Sequence, residues 1–246
     1  MTTLNGSRML IIGATGALGT LLSRALSDAG AQLALSGRDS DRLAELADLG
    51  ETVVADVTEV DAADIVVSAA VTALGGLDGV VIAAGVVGFD QAGGESLAEL
   101  EQLFTVNALA PIRIVQAAVP ALAESGAAGR EPFVLTLSGI VSEFPTAGIS
   151  SYSASKAAIA AFMVASSRTL RRKKIRLVDA RPGHTETGLA ERALFGSAPA
   201  FASGLAPQAV VDTIVAALAS DTADLPSTAF GDDVTVKSER PAGQEA

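Results

Sequence analysis

Short runs rich in Leu, Ile and Val alternate with longer helical patterns from residue 9 to about residue 220, and this alternation constrains the fold more than any other property of the chain. The extended runs are Met9 to Ile12, Gln32 to Leu35, Thr52 to Ala55, Gly79 to Ala83, Phe133 to Leu137 and Ile175 to Ala180. Between the first two, Leu18, Leu21, Leu22, Ala25, Leu26 and Ala29 fall on one face of a helix. Strand, helix and strand in succession are the signature of βαβ units and a parallel sheet. The expectation is a doubly wound α/β fold, with a central parallel sheet of six to seven strands and helices on both faces.

The 246 residues, 49% of them apolar and 18% charged, suffice for one large α/β core. No linker or composition break interrupts residues 1–230, so one domain is expected there, followed by a polar, flexible tail over 231–246. A net charge of -11 repels polyphosphate backbones and argues against nucleic acid as a partner. The basic cluster Arg168, Arg171, Arg172, Lys173, Lys174 and Arg176 reads instead as a solvated helix end, where cations meet the negative end of the dipole. The chain has no Cys, which rules out disulfides, thiolate metal sites and a thiol nucleophile, and its single His, His184, gives little support for a metal centre. The start lacks signal-peptide character, and no uninterrupted apolar run approaches the ~20 residues that span a bilayer. A cytoplasmic protein without a membrane partner is expected.

The first strand leads directly into Gly13-Ala14-Thr15-Gly16-Ala17-Leu18-Gly19 and then into the first helix. Glycines suit a tight turn whose backbone approaches a pyrophosphate, and the helix N-terminus offers free N–H groups and a positive dipole end to that phosphate. Gly13, Thr15, Gly16, Ala17, Leu18 and Gly19 are therefore the expected dinucleotide cradle. The second strand ends Leu35-Ser36-Gly37-Arg38, without the carboxylate that would accept from an adenosine ribose. Arg38 offers a planar cation to a 2′-phosphate, which favours NADP(H) and leaves NAD(H) as the alternative. Arg42, one turn into a helix, either adds charge or is solvated.

Tyr152 and Lys156 lie four apart at the start of another helix, which places phenol and ammonium on one face. A cation beside a phenol stabilises the phenolate and moves the hydroxyl from its usual pKa of ~10 toward one suited to proton transfer.

Together these landmarks resemble the short-chain dehydrogenase/reductase family in its compact form of about 250 residues, a Rossmann-fold family. The resemblance runs along nearly the whole chain: the glycine loop, Asp56-Val57, Ile82-Ala83-Ala84-Gly85, Asn107 before Pro111, Ser138, Tyr152 with Lys156, and Pro182-Gly183-His184-Thr185-Glu186-Thr187. It implies that Asp56 and Val57 hold the adenine, though Asp56 also reads as a helix cap. Ala83, Ala84 and Gly85 would leave the cofactor unobstructed, and Pro182, Gly183, Thr185 and Thr187 would cover the nicotinamide. The implied catalytic set is Asn107, Ser138, Tyr152 and Lys156. Tyr152 exchanges a proton with a carbonyl or alcohol oxygen, Ser138 holds that oxygen, Lys156 tunes the phenol and grips the ribose, and Asn107 completes the proton relay. Asn107 as a satisfied structural amide is the competing reading.

Two departures accompany the resemblance. The glycines are spaced three and three, a pattern of larger members acting on nucleotide sugars, and Ser138 precedes Tyr152 by fourteen residues where thirteen is commoner. Ser142 competes for the serine role, but Ser138 follows directly from the rigid Phe133 to Leu137 run. Residues 188–206 would form a substrate lid. Leu189, Leu194, Phe195, Phe201 and Leu205, with Phe144 and Ile149, suggest an apolar pocket or else ordinary packing. The resemblance also implies a homodimer or homotetramer. The competing functions are a dinucleotide sensor without catalysis and a nucleotide-sugar epimerase or dehydratase.

Overall fold

The computed structural model describes residues 3–90 and 94–231. Seven strands form one parallel sheet: β1 (Arg8–Ile12), β2 (Gln32–Gly37), β3 (Gly50–Val54), β4 (Gly79–Ile82), β5 (Phe133–Leu137), β6 (Arg176–Ala180) and β7 (Asp224–Leu225). Their order is β3-β2-β1-β4-β5-β6-β7. Leu10 of β1 pairs with Ala34 of β2 on one side and with Val80 of β4 on the other.

Successive side chains of a strand point to opposite faces, so an apolar strand supplies two cores at once. On one face Met9, Ile11, Leu33 and Leu35 pack against α1 (Ala17–Asp28) and, after a short α2 (Ser40–Ala44) at the edge, against the later α7 (Pro207–Leu218). On the other face Leu10, Ile12, Val80 and Ile82 meet α3 (Ala62–Leu74), α5 (Ala110–Ala127) and α6 (Ser150–Arg171). The doubly wound expectation is met.

Ahead of α5 lies α4 (Leu97–Phe104), opened by a capping box in which Ser96 and Glu99 satisfy each other's backbone amides. Between α4 and α5 the helix widens into one π turn, Thr105–Leu109, which contains Asn107. The continuous helical stretch Leu97–Ala127 is apolar and long enough to cross a bilayer, yet half of its most apolar window is buried inside the domain. Leu103, Ile114, Val115, Ala118 and Leu122 are core residues here.

The strand boundaries differ from expectation by one or two residues, with β3 starting at Gly50 and β6 at Arg176. The seventh strand has only two residues, too few to show a period in sequence, and is held by pairing with Asp179 and Ala180. Of the tail expected over 231–246, residues 232–246 lie outside the described residues.

At the amino-terminal edge of the sheet Asp78 is buried and accepts from Arg8 Nε and Nη2 at 2.9 and 2.8 Å and from Ser125 Oγ at 2.6 Å, and it pairs with Arg130. Burial alone would raise its pKa, but the Arg8 and Ser125 hydrogen bonds hold it well below the usual carboxylate range. A depressed native pKa means the stabilisation is present above the unfolded value near 3.8 and is lost as the pH falls below it. Asp78→Asn is expected to cost about 2 kcal/mol at neutral pH, since it leaves two arginines without their charge partner. Thermal unfolding from pH 7 to 3 would show a shallower acid slope in the variant.

Candidate active site

Four loops converge at the carboxyl ends of β1, β2, β4 and β5. At Gly13, φ +77°, a Cβ would stand 2.6 Å from the amide nitrogen of Ala84. A Cβ on Gly19 would lie 2.0 Å from the Gly13 carbonyl, so this glycine lets α1 close onto the loop. Gly16 is the N-cap of α1, and that helix begins with no capping side chain and no acidic residue in its first turn. Its leading amides and positive dipole end are thus left for an external acceptor, the arrangement that suits a pyrophosphate. Thr15 lies against Gly37, with only 3.1 Å between Thr15 Oγ1 and the position a Gly37 Cβ would take.

Arg38 is exposed beyond β2, and its charge contributes to a lowered pKa at Asp56. Arg42 donates from Nη2 to the Thr15 carbonyl, which brings a second guanidinium to the glycine loop. Asp39, the acidic residue nearest the end of β2, is engaged elsewhere: its Oδ1 accepts from the amides of Asp41 and Arg42 at 3.1 Å and caps α2. Asp56 accepts from the Thr58 amide and hydroxyl at 2.9 and 2.7 Å, and these hydrogen bonds are the main reason its pKa is lowered. Asp56 thereby closes a local turn beside Val57, at the carboxyl end of β3.

Gly85 forms the centre of the site. A Cβ there would lie 3.3 Å from Lys156 Nζ and 3.6 Å from Asn107 Oδ1. Ala83 and Ala84, half-buried, precede it. Asn107 is buried and its amide grips Val86 at both ends, Nδ2 to the carbonyl at 2.8 Å and the Val86 amide to Oδ1 at 3.0 Å. Nδ2 also reaches Ser155 Oγ at 3.0 Å, which joins the π turn to α6. A side-chain amide is poor in a regular helix; a π turn and three hydrogen bonds to Val86 and Ser155 account for it here.

Tyr152 and Lys156 stand on the first turns of α6. Lys156 is buried, donates to the Leu137 carbonyl at 2.8 Å, and lies 5.8 Å from the centroid of the Tyr152 ring. Burial lowers the Lys156 pKa to about 8, against the attraction of Asp179. Burial pushes the Tyr152 phenol up to about 12. The expected lowering of that phenol by Lys156 is therefore not met in this arrangement, where desolvation dominates and the ammonium is engaged by a backbone carbonyl.

Ser138 departs from expectation. It is fully buried, and its hydroxyl donates to Asp179 Oδ2 at 2.7 Å. The physical reason is Asp179 itself, a buried carboxylate in β6 that needs donors and takes them from Thr136 Oγ1 at 2.9 Å, Ser138, and Arg181 at 3.1 Å. Ser142 is half-buried, 3.1 Å from Ser138 Oγ, and donates to the Gly139 carbonyl at 2.7 Å in a short turn that packs on α6. Arg181 anchors this turn through Glu143 at 2.5 Å and β7 through Asp224 at 2.5 Å. Asp179 and Arg181 were hidden in sequence within a run that reads as one more strand.

After β6 the Pro182 carbonyl accepts from Ile140 at 2.9 Å, tying the two exits together. Thr185 Oγ1 donates to Gly183 at 2.9 Å, and the Thr187 amide to Thr185 at 2.8 Å. His184 is stacked on Phe201, centroids 4.6 Å apart, with Phe201 tilted on Phe89.

A parallel sheet with a glycine cradle at its carboxyl edge and a Tyr-Lys helix beside it defines a dinucleotide-binding oxidoreductase. The family model for short chain dehydrogenase matches residues 7–194. The chain is 27% identical over 232 residues to an uncharacterised oxidoreductase of Staphylococcus epidermidis, covering 93% of this chain and 95% of that one. It is similar in structure to a short chain dehydrogenase from Burkholderia cenocepacia in complex with NADP, at 21% identity and TM-score 0.79 over 92% of this chain and 89% of that one. A 3-ketoacyl-(acyl-carrier-protein) reductase from Brucella melitensis complexed with NADH is similar at 23% identity and TM-score 0.81, over 91% and 97%. This chain belongs to the short-chain dehydrogenase family. It is thus an oxidoreductase with an NAD(P)-binding Rossmann fold.

Gly85→Ala is expected to fold, because its φ is ordinary and the nearest group is a flexible lysine end. The added methyl stands between Lys156 and Asn107, so nicotinamide dinucleotide affinity, read by fluorescence titration, should drop about tenfold or more, a loss of ~1.4 kcal/mol.

Proposed function

We propose that this protein transfers hydride between NADP(H) and a small apolar carbonyl compound or secondary alcohol, with Tyr152 exchanging the proton on the substrate oxygen. The observation that carries the reading is the convergence of Gly85, Lys156 and Asn107 at one point, one helical turn from Tyr152. In this reading the amides at the start of α1 and Gly13, Thr15, Gly16, Ala17, Leu18 and Gly19 cradle the pyrophosphate. Asp56, Val57, Ala83 and Ala84 border the adenosine half, and Lys156 reaches the nicotinamide ribose, with Pro182, Gly183, Thr185 and Thr187 beside it. The cofactor supplies the hydride; the protein supplies the proton and the geometry. Burial keeps the Tyr152 phenol protonated at neutral pH, so a proton is in place for the substrate oxygen.

The preference for the 2′-phosphate rests on Arg38 and Arg42, and on the engagement of Asp39 in capping α2. Arg38→Ala should weaken NADPH binding at least tenfold and leave NADH binding within about twofold in a fluorescence titration. Equal losses for both cofactors would refute the phosphate role.

For the hydroxyl that holds the substrate oxygen we propose Ser142, with Ser138 as its brace. Ser138 has committed its one proton to Asp179, whereas Ser142 has only a peripheral backbone acceptor to give up. In assays of NADPH consumption on a panel of ketones and aldehydes, Tyr152→Phe should remove turnover while retaining NADPH binding. Ser142→Ala should lower kcat by about 10²-fold, the scale of one oxyanion donor, and Ser138→Ala by less than that. The reverse order would return the role to Ser138.

Residues 188–206 act as the substrate lid in this reading, with Phe89, Phe195 and Phe201 on its apolar side. Exposed Leu97, Leu109 and Val164 support assembly as a homodimer or homotetramer. A cytoplasmic location is part of the same proposal.

A further inference from the structure

The segment leaving β4 is tied to a different part of the molecule at nearly every residue. Val86 is held by Asn107, the Val87 carbonyl accepts from Leu194 at 2.8 Å, and the Phe89 amide donates to Phe195 at 3.0 Å. Gly88 lies against the Phe195 ring, where a Cβ would come within 2.2 Å of Cζ. The segment reaches Asp90, whose amide donates to the Gly148 carbonyl at 2.8 Å.

Asp90 is a buried carboxylate with a specific task. Its Oδ1 accepts from the Ser150 amide at 3.0 Å and the Ser150 hydroxyl at 2.8 Å, and Oδ2 accepts from the Ser151 amide at 2.9 Å. Those are the leading amides of α6, which have no partner within the helix. The residue at the N-cap is Ile149, which has no side-chain acceptor, so the cap comes from sixty residues earlier in the chain. A carboxylate suits the positive end of a long helix. Burial pushes its pKa up, but the Ser151 amide and the Ser150 hydroxyl and amide more than reverse this and hold it at about 2.

Resting on the reading of Tyr152 as proton carrier, we propose that Asp90 is a positioning residue for it. Its carboxylate locks the first turn of α6 to the same segment that carries Gly85, engages Asn107 and contacts residues 194 and 195. The phenol, two residues beyond the capped Ser150, is thereby registered against the nicotinamide and substrate side of the crevice. A serine at position 149 would cap the helix as well, but only the distant carboxylate ties the helix to the floor of the site.

The chain contains one Tyr and no Trp, so its ultraviolet emission, excited at the long-wavelength edge of phenol absorption where phenylalanine does not absorb, reports Tyr152 alone. This permits a test that does not depend on knowing the substrate. Asp90→Ala and Asp90→Asn would be compared with Ser125→Ala, a variant at the opposite edge of the sheet. Acrylamide quenching of the tyrosine emission should rise at least twofold in Asp90→Ala, less in Asp90→Asn, and stay unchanged in Ser125→Ala. With NADPH and any carbonyl that the wild type turns over, kcat should fall about a hundredfold in Asp90→Ala, the penalty of a displacement near 1 Å, with NADPH affinity within about threefold. Adding Ile149→Ser to Asp90→Ala supplies a local cap: melting temperature should recover while quenching and kcat do not. Recovery of all three together, or unchanged quenching in both Asp90 variants, would overturn the proposal. Failure of the wild type to consume NADPH with any carbonyl would refute the functional reading alone, since quenching still decides the role of Asp90.

Discussion

The site depends on the position of β1 between β2 and β4. The chain leaving β1 turns toward one face of the sheet and the chain leaving β4 toward the other, and the crevice between them is where a ligand can enter an otherwise covered sheet. What makes the crevice narrow is backbone on backbone: Gly13 meets Ala84 so closely that no side chain fits between them. The loops carrying Gly16, Gly85 and Arg38 inherit their spacing from that contact, and α1 inherits its own from Gly19.

Around this frame the polar groups are placed by buried carboxylates. Asp78 draws Arg8, Arg130 and Ser125 together at the amino-terminal edge, Asp179 gathers Thr136, Ser138 and Arg181 behind the site, and Asp90 holds the start of α6. A buried carboxylate is tolerated only when several donors meet it, so each acts as a local organiser of the chain segments that supply those donors. Two of the three lie at the candidate site. They decide which way the Ser138 hydroxyl turns and how the helix bearing Tyr152 meets the floor beneath it.

Much of this was legible in the sequence, for identifiable reasons. The alternating apolar runs announce a two-sided parallel sheet because strand and helix periods differ, and the glycine spacing is visible because only glycine tolerates the approach at Gly13 and Gly19. Tyr152, Lys156 and Asn107 were identifiable as a group from their order along the chain. The brief β7, the π turn at Asn107 and the Asp179-Ser138 hydrogen bond were not, since each is set by a partner distant in sequence. Ser138 illustrates the reason: a serine at the end of a buried strand has the same local sequence whichever way its hydroxyl turns.

The sequence by itself determined the class of fold, the glycine turn between β1 and α1 and the candidate residues for a proton-transfer site, because these follow from local periodicity, backbone conformation and side-chain chemistry. Only the tertiary structure decided how those residues are used. Desolvation raises the phenol of Tyr152, Leu137 engages the ammonium of Lys156, Asp179 turns Ser138 inward, and Asp90 caps a helix sixty residues away. Burial and long-range hydrogen bonds set those outcomes, and both depend on which segments the fold brings together.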